Sequence, residues 1–384
     1  MDRFSTAMWD FSWATRRSGN EAEYADWDKV LDQLAERGYD NVRIDAFPHL
    51  VAAGRDGSET RDFLLLPQRK RFMWGNHESI EMSPRRDLID FLKKCSERDI
   101  TAGLSSWFIP DSTGRQNQVC TPEDYARIWD ETLVCIRDAD LLGTIKWVDL
   151  CNEFPIDFWA PGAANHIFGH SFSTPLGVGL RGLPWRKHWA VRTQEYLTTA
   201  IARLKKKWPT LKFCFSFCEL AGPSLRALDV SEFDVAEVHC WLTDSIPWSM
   251  SNLQIAALLE LPFGTELHAK RMTPTPTRKL ENWLDTILTP KMTVWSNWAS
   301  ENSLPLITTE GWGPTNYCDL PSIDGEWTWV QKFAEIAVHK SIQLGWTGIC
   351  TSNFCQPHHK GMWADAAWHQ ELTKEIKTAT RTSA

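Results

Sequence analysis

The chain has 384 residues, 43% of them apolar and 23% charged, the composition of an ordinary globular protein. A net charge of −8 gives no electrostatic footing for nucleic acid or an anionic membrane. No apolar run approaches the roughly 18 residues of a membrane span. The N-terminus, MDRFSTAMWDFSWATRR, lacks the basic head and long apolar core of a secretory signal. With Met1 as the native start, the expectation is a cytoplasmic protein.

The predicted elements alternate. A first strand over 5–12 precedes a helix over 21–38, where Tyr24, Trp27, Val30, Leu31 and Leu34 fall at helical spacing and Gly38 suits the C-terminal cap. Residues 41–47, NVRIDAF, read as the second strand. A long connection over 48–82 shows no period, as functional loops often do. Ser83-Pro84 opens a helix to about 98 by capping serine and first-turn proline. Residues 100–108 form the third strand, and Thr121-Pro122 starts the next helix by the same device.

The fourth strand, in KWVDLCNEFP over 146–155, is an apolar, β-prone run broken only by Asp149 and stopped by Phe154-Pro155. A loop over 154–183 and a helix to about 207 follow. Then come a fifth strand at 212–218, a sixth at 233–241, a helix around 277–301 and a seventh strand at 304–310. A helix over 324–344, an eighth strand over 347–353 and a last helix over 364–378 complete the chain. Eight strands alternating with helices predict an α/β fold, a (β/α)8 TIM barrel with long βα-loop insertions and a single domain over 1–384.

In such a barrel the chemistry sits at the carboxyl ends of the strands. Two strands there end in glutamate: the fourth in Asn152-Glu153 and the seventh in Glu310, within LPLITTEGWG. Two carboxyl groups facing each other across a barrel mouth are what glycoside hydrolysis with retention requires: one protonates the leaving oxygen, the other attacks.

Tryptophan supports a sugar ligand. The chain has 22, and Trp9, Trp13, Trp107, Trp159, Trp241, Trp312 and Trp363 stand beside predicted strand ends. Flat aromatics complement the apolar faces of sugar rings.

Ten cysteines form no C-x-x-C pair, and five (Cys151, Cys214, Cys218, Cys240 and Cys350) lie inside predicted strands as small hydrophobes. They are expected to be reduced core thiols. His166 with His170, and the pair His358-His359, lack the carboxylate-bearing pattern of a zinc motif, so no metal or other cofactor is expected. His358-His359 reads better as a sugar contact, Glu219 as a rim contact and Glu237 as an internal barrel partner. Lys205-Lys206-Lys207 reads as a solvated helix end.

Together these residues resemble the (β/α)8 glycoside hydrolases of the clan that contains the family 5 cellulases, in particular their cellulase-like relatives. Asn152-Glu153 is similar to the clan's Asn-Glu pair after strand four, which implies Glu153 as acid/base. Glu310 resembles its nucleophile after strand seven. Arg43 in NVRID looks like the strand-two arginine that supports the nucleophile, and His239 like the strand-six histidine near the catalytic centre. The sequence departs from the pattern at three strand ends. His239-Cys240-Trp241 replaces the usual His-x-Tyr, Ser105-Ser106-Trp107 lacks a histidine, and Thr351-Ser352-Asn353-Phe354 lacks the platform tryptophan. The expected substrate contacts are Arg43, Asn152, His239, Trp241, Trp107, Trp13, Asp45, His49, Trp312, Asn353 and Trp363. The expected partner is a carbohydrate, a β-glycoside or short oligosaccharide. Two alternatives stay open: a non-catalytic sugar-binding barrel and a transglycosylase using the same intermediate. A lyase or isomerase of sugar phosphates ranks below both, for want of a glycine-rich phosphate turn beyond Gly345 and Gly348.

Overall fold

The computed structural model describes residues 2–68, 74–169 and 184–379. Twelve strands occur among them. β1 (Phe4–Asp10), β2 (Asn41–Asp45), the hairpin β3 (Phe63–Leu65) and β4 (Ile80–Met82), β5 (Thr101–Ser105) and β6 (Ile145–Asp149) come first. β7 (Phe213–Cys214), β8 (Phe217–Cys218), β9 (Ala236–Trp241), β10 (Leu306–Thr308), β11 (Gly311–Trp312) and β12 (Gly348–Cys350) follow.

Outside the antiparallel β3–β4 hairpin every pairing is parallel. The order runs β9–β10–β12–β1–β2–β5–β6–β7, with β8 and β11 also on β9. The predicted fifth strand is split by Phe215-Ser216: its first half pairs with β6 and its second with β9, and the ring closes through that break. This is the (β/α)8 barrel expected from the alternation of elements. Among the described residues no helix is long and apolar enough to cross a membrane.

Helices cover the outside by their apolar stripes. In Trp27–Glu36 the buried residues are Trp27, Val30, Leu31 and Leu34, each such side chain contributing about 1.5–3 kcal/mol when fully buried. This helix begins six residues later than the predicted start at 21, because the Asp26 side chain caps it by accepting from the Lys29 amide. Pro122–Asp138 starts as predicted, with Thr121 and Asp124 forming a capping box. The connection over 48–82 is not structureless: it holds the helical turn Pro48–Val51 and the β3–β4 hairpin. The loop after β6 holds a helix at Pro161–Phe168. All ten cysteines are free.

The barrel interior is not purely apolar. Arg43, Asp149, Glu237, Trp147, Ser105 and Thr309 are all fully buried. Gly103 leaves the room that the Trp147 ring fills, since a Cβ there would meet Trp147 at 2.2 Å.

Candidate active site

Arg43 is the charge at the centre. Its Nη1 donates to Glu310 Oε1 at 2.9 Å, its Nη2 donates to Asp149 Oδ2 at 2.6 Å, and its Nε lies 2.8 Å from Glu237 Oε1. Nη2 also donates to Asn152 Oδ1 at 2.9 Å. A guanidinium has five N–H groups in a fixed fork, so one side chain reaches carboxylates from three strands at once.

Asp149 then builds the turn that carries Glu153. Its Oδ1 accepts from the Ser216 amide at 2.7 Å and from the Cys151 amide at 3.2 Å, and its Oδ2 from the Ser216 hydroxyl at 2.8 Å. Ser216 sits in the break of the fifth strand, where its groups are released from the ladder. The Glu153 amide donates to the Ser216 hydroxyl at 2.9 Å. Glu153 itself has φ 47°, a left-handed backbone that non-glycine residues seldom adopt. Strain of this kind persists where surrounding contacts hold it, and here Ser216 does.

Glu310 lies between β10 and β11, with its carbonyl accepting from the Thr308 hydroxyl at 3.1 Å. A carboxylate oxygen of Glu310, one of Glu153 and a ring nitrogen of His239 all lie within 4.8 Å of one another. His239 Nδ1 is 3.1 Å from Glu153 Oε1 and 3.5 Å from Glu310 Oε2, and its Nε2 is 3.7 Å from Glu237 Oε1. Burial works against the charged imidazole, but the Glu310 carboxylate and the hydrogen bonds to Glu153 and Glu237 outweigh it and push His239 up to about 10. Burial likewise works to raise Glu237, but Arg43 and the contacts with His239 and Thr309 hold it below its ordinary value. Glu310 is pushed up to about 7 by burial and the charge of Glu153, against the pull of His239 and Arg43. Arg43 divides its charge among three carboxylates, so it does not by itself hold Glu310 at an ordinary carboxylate value. Three ligating side chains this close form a set able to take up a cation, but an imidazolium and a guanidinium beside Glu310 oppose one.

Glu153 and Glu310 open into a cavity of about 240 Å³ whose other lining residues include Asp10, Trp74, Trp107, Trp159 and Trp241, while Arg43, Asn152 and His239 stand behind the two glutamates without lining it. Trp107 also lies under Arg43, whose guanidinium carbon is 4.6 Å from its ring centroid. Asn152 Nδ2 is buried without a hydrogen-bond partner.

Other expected contacts stand elsewhere. The Trp13 indole donates to the Asp45 carbonyl and its ring packs on Phe91. Trp312 is fully buried against Trp346. Trp363 packs under Arg37 and beside Trp9. His49 faces the Ile109 carbonyl at 3.1 Å, and burial pushes its pKa down to about 4. None of these four lines the cavity. Asp45 is a positioning residue: its carboxylate accepts from the amides of Phe47 at 2.7 Å and Trp107 at 3.1 Å, tying the two loops together. Asn353 is fully buried, with both side-chain amide atoms unpartnered.

Of the lesser candidates, His359 is buried against Phe354 and Trp327, and Glu219 pairs with Arg226 and the Trp295 indole. Neither lines the cavity, nor does His358. His166 meets the Tyr196 hydroxyl at 2.8 Å, and His170 lies outside the described residues. Sequence reasoning missed Asp10, Trp74, Phe158 and Leu258 in the cavity wall. Asp10 had a signal, a carboxylate near the end of the first strand; Trp74 and Phe158 lie on aperiodic connections, and Leu258 ends the short helix Gln254–Leu258.

A family of sugar-binding cellulase-like proteins matches residues 6–377. The chain is similar to a crystal structure from Parabacteroides distasonis, described provisionally as a glycoside hydrolase, at 32% identity and TM-score 0.84, covering 100% of this chain and 95% of that one. It is more distantly similar to a GH5_18 protein of Streptomyces cattleya in complex with GlcNAc, at 12% identity and TM-score 0.57, covering 100% and 83%. Cel5A of Thermotoga maritima, in complex with mannotriose, matches at 13% identity and TM-score 0.55, covering 96% and 97%. No curated protein sequence matches. The residues at the barrel mouth and the span of the match agree: the chain belongs to the sugar-binding cellulase-like family, on the (β/α)8 fold of the family 5 glycoside hydrolases.

Proposed function

We propose that the protein is a retaining β-glycoside hydrolase. The observation that carries this reading is the approach of Glu153 and Glu310 oxygens to within 4.8 Å, close to the roughly 5–5.5 Å of retaining pairs and short of the space an inverting water needs. Glu310, ionised, attacks the anomeric carbon while Glu153 gives its proton to the leaving oxygen, and a glycosyl ester forms on Glu310. Glu153, now a carboxylate, takes a proton from water as that water attacks the ester, releasing the sugar and restoring both groups. Asn152 Nδ2, unpartnered in its buried position, is suited to donate to a sugar hydroxyl. His239, charged between the two glutamates, stabilises the carboxylate in each half of the cycle. The small cavity, below the roughly 300 Å³ at which drug-sized pockets begin, favours terminal sugars or short oligosaccharides. Another sugar in place of water at the second step would give transglycosylation.

The test is mass spectrometry of the intact protein after incubation with 2-deoxy-2-fluoro-β-glycosides carrying good leaving groups. A mass gain mapped to Glu310, and absent from Glu310→Gln, is expected. The family's description as sugar-binding favours a second reading, a barrel that binds sugar without cleaving it. Binding with no adduct from any sugar would establish that reading in place of hydrolysis.

A further inference from the structure

The wall of the cavity formed by the end of β1 carries polar groups held by hydrogen bonds. Asp10 is 1% exposed and lines the cavity. Its Oδ1 accepts from the Ser12 amide at 2.6 Å and the Ser12 hydroxyl at 2.7 Å, and its Oδ2 from Gln356 Nε2 at 3.1 Å. A carboxyl oxygen accepts two hydrogen bonds, so Oδ2 retains capacity for one more. The Ser12 hydroxyl also meets the Trp74 carbonyl, which joins Asp10 and Trp74 into one unit. Trp74 lines the same cavity, and its Nε1 is buried with no hydrogen-bond partner. Gln356 Oε1, beside Asp10, is buried and unpartnered as well. Unpaired buried donors and acceptors cost free energy, and a sugar hydroxyl, which both donates and accepts, would satisfy them.

The charge of the wall adds a second constraint. Among the described residues that line the cavity, Asp10, Glu153 and Glu310 are the charged ones, and none is a lysine, arginine or histidine. A uronate, a sialic acid or a sulfated sugar would place its anion among carboxyl groups whose cations, Arg43 and His239, are already engaged with Glu310, Glu237 and Glu153. Burial, with a contribution from the Glu310 charge, raises the Asp10 carboxyl well above its ordinary value, which suits it to give as well as accept a hydrogen bond.

We propose that Asp10 and Trp74, joined by Ser12, form a hydroxyl-reading clamp that makes this pocket specific for a neutral, uncharged sugar. The proposal deepens the glycosidase reading and rests on the same pocket as the saccharide site. Neither residue takes part in the bond-breaking steps; they determine which glycon is held.

The test uses calorimetric titration of Glu310→Gln, in which turnover is blocked, with methyl β-glycosides of glucose, galactose, mannose, N-acetylglucosamine and glucuronic acid, and with monodeoxy forms of the best binder. At least one neutral glycoside is expected to bind and the glucuronide is not. Adding Trp74→Phe, which keeps the ring and removes only the N–H, should weaken binding roughly threefold to tenfold, as for one lost hydrogen bond. Adding Asp10→Asn should weaken it roughly tenfold or more, the range of a carboxyl hydrogen bond. One deoxy sugar should lose as much against the parent protein and nothing further against Trp74→Phe, the sign of a shared contact. Equal binding by Trp74→Phe and the parent, tight binding of the glucuronide, or no binding of any neutral glycoside would each overturn the clamp. Fluoroglycoside labelling of the wild type separates the two readings. Labelling without any effect of the clamp variants leaves a hydrolase and sinks the clamp, and clamp effects without labelling do the reverse.

Discussion

Asp149 and Arg43 meet at 2.6 Å with both side chains fully buried, and this pair couples the two halves of the site. Arg43 continues to Glu310, while Asp149 continues through Ser216 to the Glu153 amide. Breaking a buried ion pair from one side leaves an uncompensated charge and typically costs about 3–5 kcal/mol. Arg43→Met strands three carboxylates and is expected to abolish soluble folded protein. Arg43→Lys keeps the charge but not the fork, and should fold with a lowered melting temperature and lose at least about a hundredfold in kcat, the order of one preorganised electrostatic contact. Circular dichroism melts beside single-turnover rates check this; a lysine variant with wild-type activity would deny Arg43 its role in holding Glu310.

The acid limb of activity follows from Glu310. The attacking carboxylate must be ionised, and burial pushes it up to about 7. As pH falls the free enzyme loses its nucleophile, so kcat/KM should drop about tenfold per pH unit along an acid limb that lies above the ordinary carboxylate range but below pH ~7. The limb lies below that value because the Glu153 charge that contributes to it is gone while Glu153 holds the proton it donates. The value belongs to the coupled set of Glu310, Glu153 and His239 rather than to one residue. A plateau persisting to about pH 5 would show that Arg43 and His239 outweigh burial at this site.

The two glutamates separate by leaving group. Glu153→Ala removes the proton donor, which matters only where the departing oxygen is basic. Its kcat/KM should fall steeply on a methyl or disaccharide leaving group and little on a 2,4-dinitrophenyl glycoside. Equal losses on both substrates would mean that Glu153 positions rather than protonates.

The barrel and the two glutamates were legible because they rest on local signals: apolar runs of strand length, stopped by Pro or Gly, with a carboxylate at the stop. Direction was less legible. Trp13, Trp312 and Trp363 stand near strand ends, as expected, yet they pack among other aromatics and Arg37 outside the cavity. For Trp312, on β11, the alternation of side chains along a strand decides between mouth and helix layer, whereas Trp13 and Trp363 lie in the short helices Ser12–Thr15 and Lys360–Ala364 beyond the strand ends. Asp149 read as a blemish in an apolar run because its partner, Arg43, lies 106 residues away. Trp74 and Phe158 were invisible because long connections carry no period, and Leu258 because its helix, Gln254–Leu258, is too short to show one. Glu237 was foreseen as an internal partner two residues before His239, by the period of two.

His239 makes stability depend on pH with a definite sign. Its folded value is about 10, against about 6.5 in an unfolded chain. The folded protein therefore holds the imidazole proton more tightly. Its contribution is complete below pH ~6.5 and is lost as pH rises through about 10. The melting-temperature gap between wild type and His239→Gln should be widest near pH ~6 and shrink steadily toward pH ~10. A gap constant across that range would mean that the histidine is neutral when folded.

Gly103 shows how the barrel interior reaches the chemistry. It lies on β5 opposite Trp147 on β6, and a Cβ at Gly103 would meet the Trp147 ring at 2.2 Å. The Trp147 indole donates to Glu237 Oε2 at 2.7 Å, and the other oxygen of Glu237 takes Arg43 and the Thr309 hydroxyl. Gly103→Ala must push the indole away, since the ring is fully buried and the neighbouring strand cannot yield without breaking its ladder. Overpacking of this kind costs about 1–3 kcal/mol. The displaced indole also leaves Glu237 short of a donor, so a larger share of Arg43 shifts toward Glu237 and away from Glu310. Gly103→Ala is therefore expected to lower both the melting temperature and kcat, although the substitution lies outside the cavity wall. Trp147→Phe in the same background relieves the clash without restoring the indole donor. Recovery of stability but not of kcat in the double variant would support this chain of contacts, and recovery of both would confine the effect of Gly103 to packing.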